Sequence, residues 1–213
     1  MAAQSDNSTK KNSENLSLHT AEGVIVDIGT GDGRFVYNSA RANPSKFYIG
    51  IDANTKPLEK ISMKATRKPL RGGLPNVLFV QAAVENLPEE LNETADEIHI
   101  HFPWGSLLRT VVLGDETVLA SLHRICAPEC LIAIVIGIDE ERDKSEIERL
   151  ELPKLSLGYL KNILIPRYEA IGFKILENGI LNSSDWSKLE TSWARKLQGG
   201  ANRKVIYLIL QAS

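Results

Sequence analysis

Between Val24 and Leu210, short β-branched runs alternate with stretches of helical spacing, and this alternation leaves few folds open. Val24–Ile28 reads as a strand and Arg34–Ala42 as a helix. Phe47–Ile51 is the next strand, followed by a basic helix from about Pro57 to Lys68. Arg71-Gly72-Gly73-Leu74-Pro75 breaks that helix, and strands follow at Val77–Gln81 and Glu97–His101. Thr117–Cys126 places Val118, Leu119, Leu122 and Ile125 at helical spacing, and Leu131–Ile136 is a fifth strand. Tyr159–Ile171 reads as a helix stopped by Gly172 and bent or divided at Pro166. Phe173–Leu176 and Val205–Leu210 complete seven strands. The pattern predicts an α/β fold: one doubly wound, mainly parallel seven-stranded sheet with helices on both faces.

This domain is expected to span 24–213. Met1 to Gly23 is rich in Ser, Asn and Lys and has only Leu16 and Leu18 as large aliphatics, so it reads as a flexible polar arm. The arm lacks the apolar core of a secretory signal, and Leu131–Ile136, the longest clean apolar run, is too short to span a membrane. Cys126 and Cys130 match no zinc or redox spacing and read as two small, partly buried thiols in a reducing compartment. A cytoplasmic protein is expected, with no membrane or metal partner.

The formal charge of −2 hides a strong asymmetry. Lys56 to Arg71 carries Lys56, Lys60, Lys64, Arg67, Lys68 and Arg71 against Glu59 alone, a balance of +5. Trp186 to Lys204 carries Lys188, Arg195, Lys196, Arg203 and Lys204 against Glu190, a balance of +4. Either island alone is compatible with a solvated surface. Both flanking one pocket would make a phosphate-binding face.

The first strand runs into Asp27-Ile28-Gly29-Thr30-Gly31-Asp32-Gly33. Dinucleotide sites space their glycines G-x-G-x-x-G to seat a pyrophosphate on a helix N-terminus. Here the spacing is G-x-G-x-G, with Asp27 ahead of it and Asp32 inside it, and both acids would repel phosphate. The ammonium and sulfonium of S-adenosylmethionine suit such a loop. Asp52 ends the second strand, where an open α/β sheet places an acid to accept from ribose hydroxyls, although a helix N-cap is also open to it. Glu85, in Ala82-Ala83-Val84-Glu85 after the third strand, falls where an adenine amino group would need an acceptor, or is an exposed loop acid.

After the fourth strand comes His101-Phe102-Pro103-Trp104-Gly105-Ser106-Leu107-Leu108, and near the C-terminus stands Thr191-Ser192-Trp193-Ala194-Arg195-Lys196. Flat aromatics beside positive charge suit a base flipped out of RNA and stacked between rings. His99 and His101 read as structural rather than catalytic. With these motifs, Lys68-Pro69 and Gly72-Gly73-Leu74-Pro75-Asn76, the chain from about Val24 to Lys204 resembles the 16S rRNA (adenine(1408)-N1)-methyltransferases that confer aminoglycoside resistance.

The resemblance implies a class I, Rossmann-like methyltransferase domain using S-adenosylmethionine and releasing S-adenosylhomocysteine. It implies cofactor contacts from Asp27, Gly29, Thr30, Gly31, Phe35, Asp52, Val84, Glu85 and the segment His101, Phe102, Pro103, Trp104, Gly105, Ser106. Thr191, Ser192 and Trp193 would join them, with Trp104 and Trp193 clamping the target adenine as the catalytic pair. RNA contacts would come from Lys64, Arg67, Lys68, Arg71, Arg195, Lys196 and Arg203, with the 30S subunit and its 16S rRNA as partner and a monomer as the acting form. Lys196 and Ala201 stand where family members carry Arg, which removes a planar fork at one position and a contact at the other. A methyltransferase of the same fold acting on another RNA or a small molecule, and an RNA-binding homologue without turnover, share most of these features.

Overall fold

The computed structural model describes residues 21–181 and 204–213. The first strand, β1 (Val24–Ile28), is buried along its whole length. Val24, Val26 and Ile28 face one core while Ile25 faces another, as expected for a central strand covered on both sides. The chain is anchored just before it: Glu22 N–H donates to Ser45 O (2.9 Å) and Phe47 N–H to Gly23 O (2.8 Å). Ala21–Gly23, at the edge of the expected arm, are thus already part of the packed domain.

Helix α1 (Arg34–Ala42) lays Val36 and Ala40 on Ile25 and on Tyr48 of β2 (Phe47–Asp52). The basic helix is shorter than its composition suggests: a 3-10 turn at Lys56–Leu58 leads into α2 (Glu59–Ala65), and a second turn covers Pro69–Arg71. Then come β3 (Val77–Gln81), a 3-10 turn at Val84–Asn86 and β4 (Ala95–His101). Two helices follow, α3 (Gly105–Leu113) and α4 (Glu116–Ile125), the second capped by Asp115, whose side chain accepts from Val118 N–H. Strand β5 is long (Cys126–Ile138), and its cysteines are free and buried. Beyond α5 (Lys144–Arg149) and α6 (Leu157–Tyr159), a π-helical turn at Leu160–Leu164 runs into α7 (Ile165–Ala170). Pro166 sits in the first turn of α7, so the break expected there takes the form of a π turn followed by a fresh helix start. Strands β6 (Phe173–Leu181) and β7 (Lys204–Ala212) close the sheet.

The strand order is β3-β2-β1-β4-β5-β7-β6. The pairs among β1 to β5 are parallel, whereas β7 runs antiparallel between β5 and β6. The order reverses beside β1, so a crevice opens at the carboxyl ends of β1, β2 and β4. Residues of α3, α4 and α7 fill the core on the face opposite α1. Among the described residues no helix is long and apolar enough to cross a membrane, and no group of three or more His, Cys, Asp and Glu could hold a metal ion.

Candidate cofactor and substrate cleft

The glycine loop turns back over the sheet in a way that only glycine supports at three places. Gly29, Gly31 and Gly33 have φ of 74°, 59° and 68°. At Gly29 a side chain meets a second obstacle, because its Cβ would stand 2.5 Å from Leu107 Cδ2. Gly29 and Thr30 N–H both donate to Ile51 O, at 2.8 and 3.0 Å, which fastens the loop to the end of β2.

Asp52 completes the fastening. Its Oδ2 accepts from Gly31 N–H and its Oδ1 from Asn54 N–H, each at 2.8 Å. One carboxylate thereby braces the glycine loop and its own turn, and each oxygen keeps lone pairs for a further donor. It does not cap a helix: the following turn is preceded by Thr55. Asp32, by contrast, is not on the wall of the adjoining cleft; it accepts from Arg34 N–H (3.2 Å) and pairs with Arg34 Nε at 3.3 Å.

Between this loop and the end of β4 lies a cleft of about 240 Å³. Of the residues singled out in the sequence, it is lined by Gly29, Gly31, Asp52, Val84, Glu85, Phe102, Pro103, Trp104 and Ser106. Ile28, Ile51, Ala53, Ala82, Ala83 and Leu107 line it as well. These six were not assigned to the site from sequence, although Ile28, Ala82, Ala83 and Leu107 stand inside the motifs singled out there and Ile51 and Ala53 flank Asp52. The walls are therefore apolar, with acids at two points, Asp52 and Glu85.

The end of β4 is built under strain. Phe102, 5% exposed, holds φ at 51° ahead of Pro103, a conformation that costs a non-glycine residue about 1–3 kcal/mol. Its N–H donates to Val135 O at 2.7 Å, so the neighbouring strand helps to impose the turn. The turn delivers Trp104 in extended conformation at the start of α3, with 40% of its surface exposed on the cleft wall.

Asp27, Thr30, Phe35, His101 and Gly105 are not on the cleft wall. Asp27 is 4% exposed, and burial pushes its carboxyl up to about 6. Thr30 and His99 pull it back down and Asp52 adds a smaller push upward, although Thr30 Oγ1 itself is buried without a fully formed hydrogen bond. Phe35, His99 and His101 form an edge-on ring cluster with centroids 5.0–5.3 Å apart. Burial, aided by His99, lowers His101 to about 3, so its ring is neutral at physiological pH. Beside His99, Glu97 is held at about 2, first by His99 and then by Lys46, whose Nζ lies 3.1 Å away.

Of the basic positions, Lys64, Arg67, Lys68 and Arg71 sit on α2 and the turn after it, and Lys64 Nζ rests 4.3 Å from the centre of the Tyr37 ring. The Gly72–Asn76 stretch proves to be architectural. Asn76, 2% exposed, extends Nδ2 to Ala40 O and Lys46 O at 2.9 Å and to Asn43 O at 3.3 Å. Thr191, Ser192, Trp193, Arg195, Lys196, Ala201 and Arg203 lie outside the described residues. A larger cleft of about 580 Å³, between the end of β5, α5 and Ile206, contains none of the glycine-loop residues.

The sheet order, the crevice at its reversal, the glycine loop and the braced acid at the end of β2 define a class I methyltransferase fold. The family model described as "NpmA: 16S rRNA (adenine(1408)-N(1))-methyltransferase" matches residues 6–212. A 16S rRNA (adenine(1408)-N(1))-methyltransferase from Escherichia coli is 38% identical over 184 residues, covering 84% of this chain and 83% of the relative. The crystal structure of the aminoglycoside resistance methyltransferase NpmB1 is 44% identical, with a TM-score of 0.81, covering 92% of this chain and 90% of that one. A mutant 16S rRNA (adenine(1408)-N(1))-methyltransferase from Catenulisporales acidiphilia, solved with cosubstrate SAM, is 34% identical, with a TM-score of 0.83 and coverage of 92% and 88%. The chain belongs to the 16S rRNA (adenine(1408)-N(1))-methyltransferase family.

Proposed function

We propose that this protein transfers a methyl group from S-adenosylmethionine to N1 of adenine 1408 in the 16S rRNA of the small ribosomal subunit, and so confers aminoglycoside resistance. The observation that carries the reading is the cleft itself: an apolar slot between the glycine loop and a strained strand end, with an acid at each recognition point and a half-exposed Trp104 on its wall.

The residues present fit S-adenosylmethionine. Asp52 has lone pairs to spare for ribose hydroxyls, Glu85 offers an acceptor to an adenine amino group, and Val84 and Leu107 supply apolar contact. Asp27 lies beneath the loop with a carboxyl poised near 6, so an adjacent cation would favour its ionised form. His101 stays neutral and adds no repulsion toward a sulfonium. When bound, the cofactor supplies an electrophilic methyl group.

The chain's own contribution is placement. N1 of an extruded adenine carries an in-plane lone pair, so no general base is required, and the methylated base can lose its amino proton to water afterwards. Trp104 offers a ring face for that base, and Trp193 is proposed as the opposing face. Aligning nucleophile and electrophile in this way can account for several powers of ten in rate. The test is incubation of purified small subunits with the protein and isotopically labelled S-adenosylmethionine, followed by mapping of the modified nucleotide.

A further inference from the structure

A scattered surface leucine carries no message by itself. Leu70 differs in three respects. It is 102% exposed, touching almost nothing of its own protein. It lies in the turn Pro69–Arg71, directly between Lys68 and Arg71 and three residues after Arg67, with no acid between Lys60 and Arg71.

The third respect is its mounting. Arg71 N–H donates to Lys68 O (2.7 Å), Gly72 N–H to Pro69 O (3.0 Å) and Gly73 N–H to Lys68 O (3.2 Å). Tyr37 OH donates to Gly72 O at 2.6 Å, and Leu74 N–H to Ala65 O at 3.0 Å, so the turn is fastened to both α1 and α2. Gly73 is packed so closely that a Cβ there would overlap the Arg67 carbonyl oxygen. A turn tied at five points, and closed by a glycine that admits no side chain, holds its leucine outward at fixed cost. The ordering entropy that usually opposes contact by an exposed loop has already been met in folding.

We propose that Leu70 is the apolar contact of an RNA-docking knuckle: it packs on the face of an exposed base or ribose of the small-subunit rRNA while Arg67, Lys68 and Arg71 neutralise the phosphates on either side. The inference rests on the rRNA reading above and adds a residue with a separable task. Apolar side chains flanked by cations dock on nucleic acid by packing against bases that have left the stack. The local charge favours a polyanion, and one leucine buries too little surface to hold a membrane. The knuckle lies in the β2–β3 connection, whose first residue, Ala53, lines the cleft together with Asp52 at the end of β2. Leu70 is not among the residues that line the cleft, so it acts in docking and not in the transfer step.

The experiment compares the parent, Leu70→Ser and Leu70→Met for binding to purified small subunits across a salt series, and for methylation kinetics. Leu70→Ser is expected to weaken binding roughly tenfold and to raise KM with kcat unchanged, while melting temperature and cofactor affinity stay at parent values. The slope of log Kd against log salt should not move, because no phosphate contact has been removed. Leu70→Met should restore parent affinity. Parent-like binding by Leu70→Ser overturns the proposal, as does an altered salt slope. Loss of binding to phosphatidylglycerol vesicles with subunit binding intact would overturn it in favour of a lipid surface. If the parent itself neither binds nor methylates small subunits, the functional reading fails first and takes the knuckle with it.

Discussion

Replacing Asp52 by Ala tests how one carboxylate can serve both the fold and the ligand. The substitution frees the N–H groups of Gly31 and Asn54, each 2.8 Å from a carboxylate oxygen. Asp52 is only half-buried, so water can reach both donors, and the loss of stability should be modest, about 1–2 kcal/mol. For a chain of this length that corresponds to a fall in melting temperature of roughly 2–8 °C. Binding should suffer more. The loop that Asp52 holds over Ile51 loses its brace, and the ribose hydroxyls lose a charged acceptor. Each charge-assisted hydrogen bond is worth about 1.5–3 kcal/mol, so loss of a single ribose bond already predicts a ten- to hundred-fold rise in Kd. Asp52→Asn keeps one neutral acceptor and should fall between. Isothermal titration with S-adenosylmethionine and S-adenosylhomocysteine, beside thermal melts, reads both quantities. Unchanged affinity in Asp52→Ala would place the ligand elsewhere. A collapse of the fold would make Asp52 a structural residue and nothing more.

Four further outcomes follow from the geometry. Gly29→Ala forces a side chain into positive φ and toward Leu107 Cδ2, so cofactor binding should drop at least tenfold by titration while circular dichroism shows the sheet intact. Asp27 has its folded pKa raised to about 6, so its proton-linked stability is present below about pH 4 and is lost as pH rises through 6. Asp27→Asn should remove that loss, gaining about 2–3 kcal/mol over the parent at pH 8 and nothing near pH 4; parallel melting curves across pH would contradict it. Trp104→Ala should lower methyl transfer ten- to a hundred-fold with little change in melting temperature, because the ring is 40% exposed on the cleft wall, and a large fall in stability would mark it as core instead. Changing Arg67, Lys68 and Arg71 together to Ala should flatten the salt dependence of small-subunit binding and leave cofactor affinity alone, as paired salt and calorimetric titrations would show.

Much of this molecule was legible in its sequence because local period and global fold agree. The β-branched runs mark every strand of the sheet, and G-x-G-x-G maps onto three positive-φ turns. What stayed hidden was mostly relational. Helix α3 begins at a glycine behind an extended Trp104 with no capping side chain, so no start signal announces it. Strand β5 is 13 residues long rather than six, because residues 126–130, with Pro128 and a positive-φ Glu129, extend it at one end and residues 137–138 at the other. The ribose-like position of Asp52 could be inferred from spacing, but its grip on Gly31, 21 residues away, could not. Asp27, expected among the cofactor contacts, is buried at 4% exposure and is not on the cleft wall, a placement that no local spacing announces. The glycines after the basic helix, which carry part of the family resemblance, close the turn that bears Leu70, while Asn76 ties the end of α1 to the segment leading into β2.

The central claim is the identity of the methylated atom, and primer extension on 16S rRNA from purified small subunits treated with this protein and S-adenosylmethionine tests it most directly. A methyl group on N1 blocks base pairing, so reverse transcriptase should stop one nucleotide before adenine 1408, only when both protein and cofactor are present. Full read-through at that adenine, or a stop at another nucleotide, would contradict the account.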